Sequence, residues 1–284
     1  MAHVKISLSH DVDFTIETHD RDDKYVSEEI IKDQRWEPLE TEVISRLLKQ
    51  DADFIDVGAN IGWYSLLAGK LLGRRGIVHA FEPAAENVAL LARNVSLNCL
   101  ANVRISPCAV GDATGSARIF YSPINKGDHR AYRSDEERPS QGIGMIKLDD
   151  YFRAEPQRPL VVKVDTQGFE YDVLSRMQDT LDSLQNEVVL VIEFWPYGLT
   201  QNGVAAAALL ELIRQAGFEP SILVGDDISL RRTSLLDLAA AAHSTLAPET
   251  QGFVNLVLSR PGGRFGNLLG DLLSDEPSEL VRRS

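Results

Sequence analysis

The stretch Phe54-Ile55-Asp56-Val57-Gly58-Ala59-Asn60-Ile61-Gly62, followed one helix length later by Ala80-Phe81-Glu82-Pro83, constrains this chain more than any other feature. Residues 54–57 read as a short buried strand. Gly58 and Gly62 bracket a tight turn that opens a helix over 63–72. A second strand over 77–81 then ends on an acid. Together these make half of a βαβ unit, with a backbone-lined crevice at the strand ends and a carboxylate beside it. An acid placed about 20 residues beyond such a glycine turn receives a pair of ribose hydroxyls in mononucleotide-type folds. The crevice therefore suits a ligand with a ribose and a charged end.

The glycine pattern is Gly-x-Asn-x-Gly. The dinucleotide pattern uses its second glycine to bring backbone against a pyrophosphate. Asn60 puts a side chain at that place, which favours a smaller group. The methionyl part of S-adenosylmethionine is such a group, because backbone and an Asn or Asp near a helix N-terminus can hold its carboxylate and ammonium. NAD is the runner-up. The plainer reading is a tight strand–helix turn with an incidental Glu82.

Composition narrows the partners. The chain has 284 residues, 42 acidic and 29 basic side chains, and a net charge of -13. That balance argues against nonspecific nucleic-acid binding, which needs phosphate neutralisation, and against an anionic membrane surface. Cys99 and Cys108 are the only cysteines, and no His/Cys cluster has zinc spacing. There is no apolar leader at the N-terminus and no run of eighteen apolar residues. The expectation is a soluble cytoplasmic protein without membrane insertion; homo-oligomer formation stays open.

Along the chain, 4–8 and 12–17 alternate around Ser9-His10-Asp11 as an edge hairpin. Residues 25–31 and 38–48 read as helices, and 86–98 as an amphipathic helix. Strands are expected at 102–106, 115–121, 160–164, 188–192, 218–224 and 253–258, the last inserted antiparallel. A helix is expected at 205–216. Residues 122–144 lack periodicity, and an irregular run of that length in a compact domain is often functional. The valine-rich strands imply an α/β domain with a mostly parallel, seven-stranded sheet covered on both faces. The boundaries are an N-terminal hairpin and helical appendage at 1–50, a main domain at 51–260, and a tail at 261–284 that docks as a short helix or frays.

Active sites in such sheets lie outside the carboxyl ends of the strands. Three strands end on acids: Glu82, Asp165 and Glu193. Lys163 interrupts the strand before Asp165, and a buried ammonium needs a partner. Asp165, Glu170 and Glu193 are the candidates, either as a structural ion cluster or as a substrate site. Trp195 and Tyr197 follow Glu193 and suit a ring-shaped substrate or simple packing. His129 lies in the irregular segment as a candidate base.

The two opening blocks, Val162-Lys163-Val164-Asp165-Thr166-Gln167-Gly168-Phe169-Glu170 and Val191-Ile192-Glu193, in this order, resemble the FkbM family of S-adenosylmethionine-dependent methyltransferases. Asn94, Asn98, the run from Ala109 through Gly115, and Leu148-Asp149-Asp150-Tyr151 resemble it too. The resemblance covers roughly 51–258. The family usually carries Asp-x-Glu-Gly-x-Glu where this chain has Gln167 in place of the first glutamate. The resemblance implies a Rossmann-like class I methyltransferase fold with helices on both faces, S-adenosylmethionine as cofactor, and O-methylation of a hydroxyl on a sugar, glycan or other small molecule. A non-catalytic relative or an RNA or protein methyltransferase is the alternative.

Within that frame, Asp56 and Gly58 are expected near the methionyl end, with Asn60 and Ile61 lining the same turn. Glu82 is expected on the ribose, and Pro83, Cys108, Ala109 and Val110 beside adenine. Asp165 or Glu193 is expected to take the acceptor proton, with Lys163 holding one of them ionised and His129 in reserve. The segment 122–144 and Trp195-Pro196-Tyr197 are expected to cover the acceptor. No obligatory metal is expected.

Overall fold

Alternation along three apolar strands decides how the layers stack. A computed structural model describes residues 2–8, 12–19, 23–134, 136–153, 158–224 and 229–274. The strands are β1 (His3–Leu8), β2 (Val12–Glu17), β3 (Asp53–Val57), β4 (Val78–Phe81), β5 (Val103–Ser106), β6 (Cys108–Val110), β7 (Gly115–Phe120), β8 (Ser140–Ile146), β9 (Leu160–Val164), β10 (Val188–Phe194), β11 (Glu219–Val224), β12 (Ser229–Arg232), β13 (Val254–Ser259) and β14 (Leu273–Ser274). The helices that shape the site are α1 (Val26–Asp33), α2 (Pro38–Leu47), α3 (Trp63–Leu72), α4 (Ala85–Leu97), α5 (Leu148–Phe152) and α6 (Glu170–Leu174).

The central sheet has the order β14-β12-β11-β13-β10-β9-β3-β4-β5. Strands β5, β4, β3, β9 and β10 pair in parallel, and β13 runs antiparallel between β10 and β11. This is the expected mostly parallel α/β sheet with its antiparallel insert. Among the described residues it has nine strands rather than seven, because β12 and β14 extend the β11 edge. Both were invisible to periodicity: β12 carries two arginines, and β14 is two residues long.

The order reverses at β3. The chain runs outward to β4 and β5, then returns to place β9 on the other side, which opens a crevice outside the carboxyl ends of β3 and β9. Side chains alternate between the two faces of the sheet. Ile55, Val57, Val162, Val164, Leu190 and Ile192 pack in one cluster with α6 and the helix Gln178–Leu184. Phe54, Val161, Val189 and Val191 pack in the other with α2 and α3. By the same alternation Lys163, Asp165 and Glu193 belong to the α2–α3 side.

The hairpin β1–β2 forms as expected, although its turn at 9–11 lies outside the described residues. It packs on α3 and α4 and shares their apolar cluster. A small second sheet, β6-β8-β7, stands beside β4. Its strand β8 lies partly in the segment read as irregular. Two glycines and a sparse apolar pattern in Ser140–Ile146 hid it. No helix among the described residues is long and apolar enough to cross a membrane.

Candidate active site

The turn after β3 is pressed against the end of β9. The N–H groups of Gly58 and Ala59 both donate to the Phe81 carbonyl at 3.0 Å. Gly58 has φ +87, and a Cβ there would overlap the Asp165 carbonyl oxygen. Only glycine fits such a position without strain. Asn60 follows at φ 50, and Gly62 caps α3 at φ 99. Glu82, at the exit of β4, is buried. Its Oε2 accepts from the Asn60 N–H at 2.9 Å and its Oε1 from the Ala84 N–H at 2.8 Å. Burial pushes its carboxyl up to about 7, against the pull of those N–H donors.

These residues line a cavity of about 360 Å³, within the range of small-molecule sites. Gly58, Asn60, Ile61, Glu82, Pro83, Cys108, Ala109 and Val110 all line it. The Oδ1 of Asn60 is buried without a hydrogen-bond partner. Asp56 is not part of the wall. It is buried under α3, where its carboxylate accepts from Ser65 Oγ at 2.6 Å, and burial raises it to about 6.

At the other end of the cavity Lys163, Asp165 and Glu193 come together. Lys163 Nζ donates to Asp165 Oδ2 at 3.0 Å, lies 3.8 Å from Glu37 Oε2, and sits 4.7 Å from the Tyr64 ring centre. Burial opposes its charge, but Asp165, Glu37 and Glu40 outweigh it, so the ammonium is retained. Burial likewise opposes ionisation of Asp165, yet Lys163 holds its carboxyl below the usual range. Gln167 Nε2 donates to Asp165 Oδ1 at 2.8 Å, a bond that a carboxylate at 167 cannot make. Glu193 stands well above the usual carboxylate range, through burial first and then Asp165, Glu170 and Glu37. Its Oε2 is buried and unpartnered.

Glu170 plays another part. Buried behind the cavity, it accepts from the N–H and Oγ1 of Thr166 and from the Gly168 N–H, all at 3.0–3.1 Å. It latches the turn that carries Asp165 and Gln167. Burial pushes it up to about 7.

His129 also lines the cavity, with one ring nitrogen already engaged. Its Nδ1 accepts the Ser122 N–H at 3.1 Å, so the neutral ring carries its proton on Nε2 and has no free lone pair. Burial holds the imidazole down at about 4. The segment around it lies on the Glu82 side: the Lys126 carbonyl accepts from Asn87 Nδ2, and Gly127 lies beside Asn60. Trp195 and Tyr197 do not line the cavity. Their ring centres lie 5.3 Å apart with the planes tilted by 51°, and Trp195 Nε1 donates to the Gln251 carbonyl.

Besides Phe81 and Phe169 of the sequence blocks, the aromatic lining comes from Tyr25, Trp36, Trp63, Tyr64 and Phe253. The latter residues, Glu37 and Asn87 escaped sequence reasoning. The one signal at Glu37 was its place before Pro38 at a helix start, and nothing local links it to Lys163. Among the described residues no group of three or more His, Cys, Asp or Glu side chains is arranged to hold a metal ion.

The chain is similar in sequence to named methyltransferases. Methyltransferase 1 of Beauveria bassiana is 26% identical over 160 residues, covering 49% of this chain and 64% of that protein. Hexuronic acid methyltransferase AglP of Haloferax volcanii is 28% identical over 160 residues, covering 56% of this chain and 64% of that protein. The matched region thus spans less than two thirds of either relative. A solved structure of methyltransferase FkbM from Methylobacillus flagellatus is 16% identical with a TM-score of 0.41, covering 73% of this chain and 43% of that one. Residues 56–220, more than half of the sequence, from the end of β3 to the start of β11, match the methyltransferase FkbM domain, and the chain belongs to that family.

Proposed function

We propose that this chain is an S-adenosylmethionine-dependent O-methyltransferase acting on a hydroxyl of a sugar, glycan or other small molecule. The observation that carries the reading is one cavity with two chemically different ends. The glycine turn, Asn60 and Glu82 form one end, and Lys163, Asp165 and Glu193 the other. The first end fits the cofactor. The unpartnered Asn60 Oδ1 and the backbone of 58–61 suit the methionyl group, and Glu82 keeps lone pairs for ribose hydroxyls. Pro83, Cys108, Ala109 and Val110 suit the adenine.

The cofactor supplies an electrophilic methyl group, and the chain must orient the acceptor and remove one proton. Asp165, with both oxygens engaged by Lys163 and Gln167, orients. Glu193, whose side chain lines the cavity, accepts the proton. Both wall lysines are occupied, Lys163 by Asp165 and Glu37, and Lys126 by Glu86 at 2.8 and 3.0 Å. An acceptor carboxylate would therefore meet acids without a spare lysine among the described lining residues. This favours an uncharged hydroxyl-bearing ring over the uronic acid named for the archaeal relative.

No divalent metal is required in this reading, and EDTA should leave turnover unchanged. Loss of activity in EDTA with rescue by Mg²⁺ would overturn that part. The function itself is tested with labelled S-adenosylmethionine and panels of neutral sugars, uronic acids, glycolipids, polyketides and RNA. Transfer to neutral hydroxyl acceptors is expected. Transfer to RNA alone, or no binding of S-adenosylhomocysteine by calorimetry, would refute the reading.

A further inference from the structure

Glu193 lines the cavity with no ion-pair partner of its own among the described residues. It lies near the end of β10, opposite Asn255 of β13. Four charged or titratable groups act on it: Lys163 of β9, Asp165 just beyond that strand, Glu170 of α6, and Glu37 from the turn before α2. The Lys163 ammonium is taken up by Asp165 and Glu37. Asp165 has both oxygens bonded, Glu170 is bound by its own turn, and Glu37 Oε2 accepts from Tyr64 Oη at 2.8 Å. Glu193 Oε2 is buried and bonded to nothing.

A carboxyl in that position keeps its proton, because ionising it would add another negative charge to a group of acids that shares one ammonium. In its protonated form it cannot take a proton from a hydroxyl. A positive charge brought into the cavity removes the obstacle. We propose, resting on the methyltransferase reading above, that Glu193 is a general base gated by cofactor charge: a sulfonium-bearing cofactor expels its proton, and methyl transfer returns one from the acceptor.

The step balances. The acceptor O–H bond breaks and its proton goes to the Glu193 carboxylate. A C–O bond forms as the C–S bond breaks, and that electron pair stays on sulfur, which becomes a neutral thioether. One positive and one negative charge disappear together, so the net charge of the cavity is the same before and after. Glu193 is then neutral again, as it was before the cofactor entered.

Calorimetry in buffers of different ionisation enthalpy at pH 7 reads this directly without an acceptor. Three ligands are compared: S-adenosylmethionine, sinefungin, which carries an amine cation in place of the sulfonium, and S-adenosylhomocysteine, which is neutral there. The two cationic ligands should release roughly half to one proton more than the neutral one. Protons from Glu82, common to all three, cancel in that difference. Glu193→Gln, a neutral isostere of the protonated acid, should bind all three ligands and abolish the difference. Equal proton release for the three ligands, or a difference that survives in Glu193→Gln, would overturn the gating while leaving the methyltransferase reading intact. Failure of all three ligands to bind wild type would instead refute the cofactor assignment itself.

Discussion

At the scale of single residues, Gly58 and Glu82 carry the cofactor end by different physics. Gly58 is fixed by shape. A Cβ there overlaps the Asp165 carbonyl, and φ +87 adds backbone strain. Gly58→Ala should therefore destabilise the fold by roughly 2–4 kcal/mol, read from urea unfolding. An unchanged midpoint would mean that β3 and β9 separate easily at this end. Glu82 is fixed by its acceptors, which hold the Asn60 and Ala84 N–H groups and are proposed to hold the ribose. Glu82→Ala should weaken S-adenosylhomocysteine binding about 10- to 100-fold, with Glu82→Gln losing less, since charged hydrogen bonds are worth roughly 1.5–3 kcal/mol. Equal affinity in Glu82→Ala would remove Glu82 from the ribose. Both residues were legible in the sequence because glycine spacing and an acid at a strand end are local signals. Glu37 and Tyr64 were not, since only the folded α2 and α3 bring them to Lys163. Asp56 misled for a related reason. Its position in the motif was clear, but strand alternation turns its carboxylate toward Ser65.

At the scale of elements, two asparagines, Asn94 of α4 and Asn98 at its C-cap, act as a partner for the strand β2. Asn94 Oδ1 accepts the Glu17 N–H at 2.6 Å, and its Nδ2 donates to the carbonyls of Glu17 and Ile61 at 2.9 and 2.8 Å. One helical turn on, Asn98 accepts the Thr15 N–H and donates to the Thr15 carbonyl. The helix spacing of four thus meets the strand spacing of two, and each amide answers both backbone groups of one residue. Through Ile61, Asn94 also ties the hairpin to the cofactor turn. Asn94→Ala would leave buried backbone groups unpaired, at a cost of about 2–4 kcal/mol, and Asn94→Asp should cost as much, because a carboxylate cannot donate. Thermal unfolding of both variants checks this; a stable Asn94→Asp would show that the donated bonds carry no weight. The hairpin itself was readable from alternation, but its docking depends on side-chain reach between distant segments. Strand β8 was missed for want of apolar residues. The Trp195–Tyr197 pair was assigned to the acceptor because nothing local distinguishes an aromatic that faces a cavity from one that packs beside it.

At the scale of the whole molecule, the buried acids should set the pH dependence of stability. Burial raises Glu82 and Glu170 to about 7 and Asp56 to about 6, and holds Glu40 and Glu193 well above the usual range. A carboxyl whose folded pKa is raised gives stability that is full below its unfolded pKa and is lost as pH climbs through the folded value. These acids therefore withdraw stability between about pH 4.5 and 7 and beyond. His129 works the other way: held down at about 4, its contribution is full above 6.5 and is lost as pH falls toward 4. One imidazole set against several carboxyls leaves the net slope negative, so the melting temperature should fall from pH 5.5 to pH 8.5. Net charge reinforces the trend, since the chain already carries -13 at pH 7 and self-repulsion grows as the buried acids ionise. Glu170 isolates the effect. A displacement from 4.5 to about 7 corresponds to roughly 3 kcal/mol between its protonation states. Glu170→Gln keeps a carbonyl oxygen for the Thr166 and Gly168 donors and removes the titration. Its melting temperature should match wild type near pH 5.5 and exceed it at pH 8.5, with a shallower slope between. A wild-type melting temperature that rises with pH over this range would mean that the buried acids are ionised in the folded protein and balanced by it.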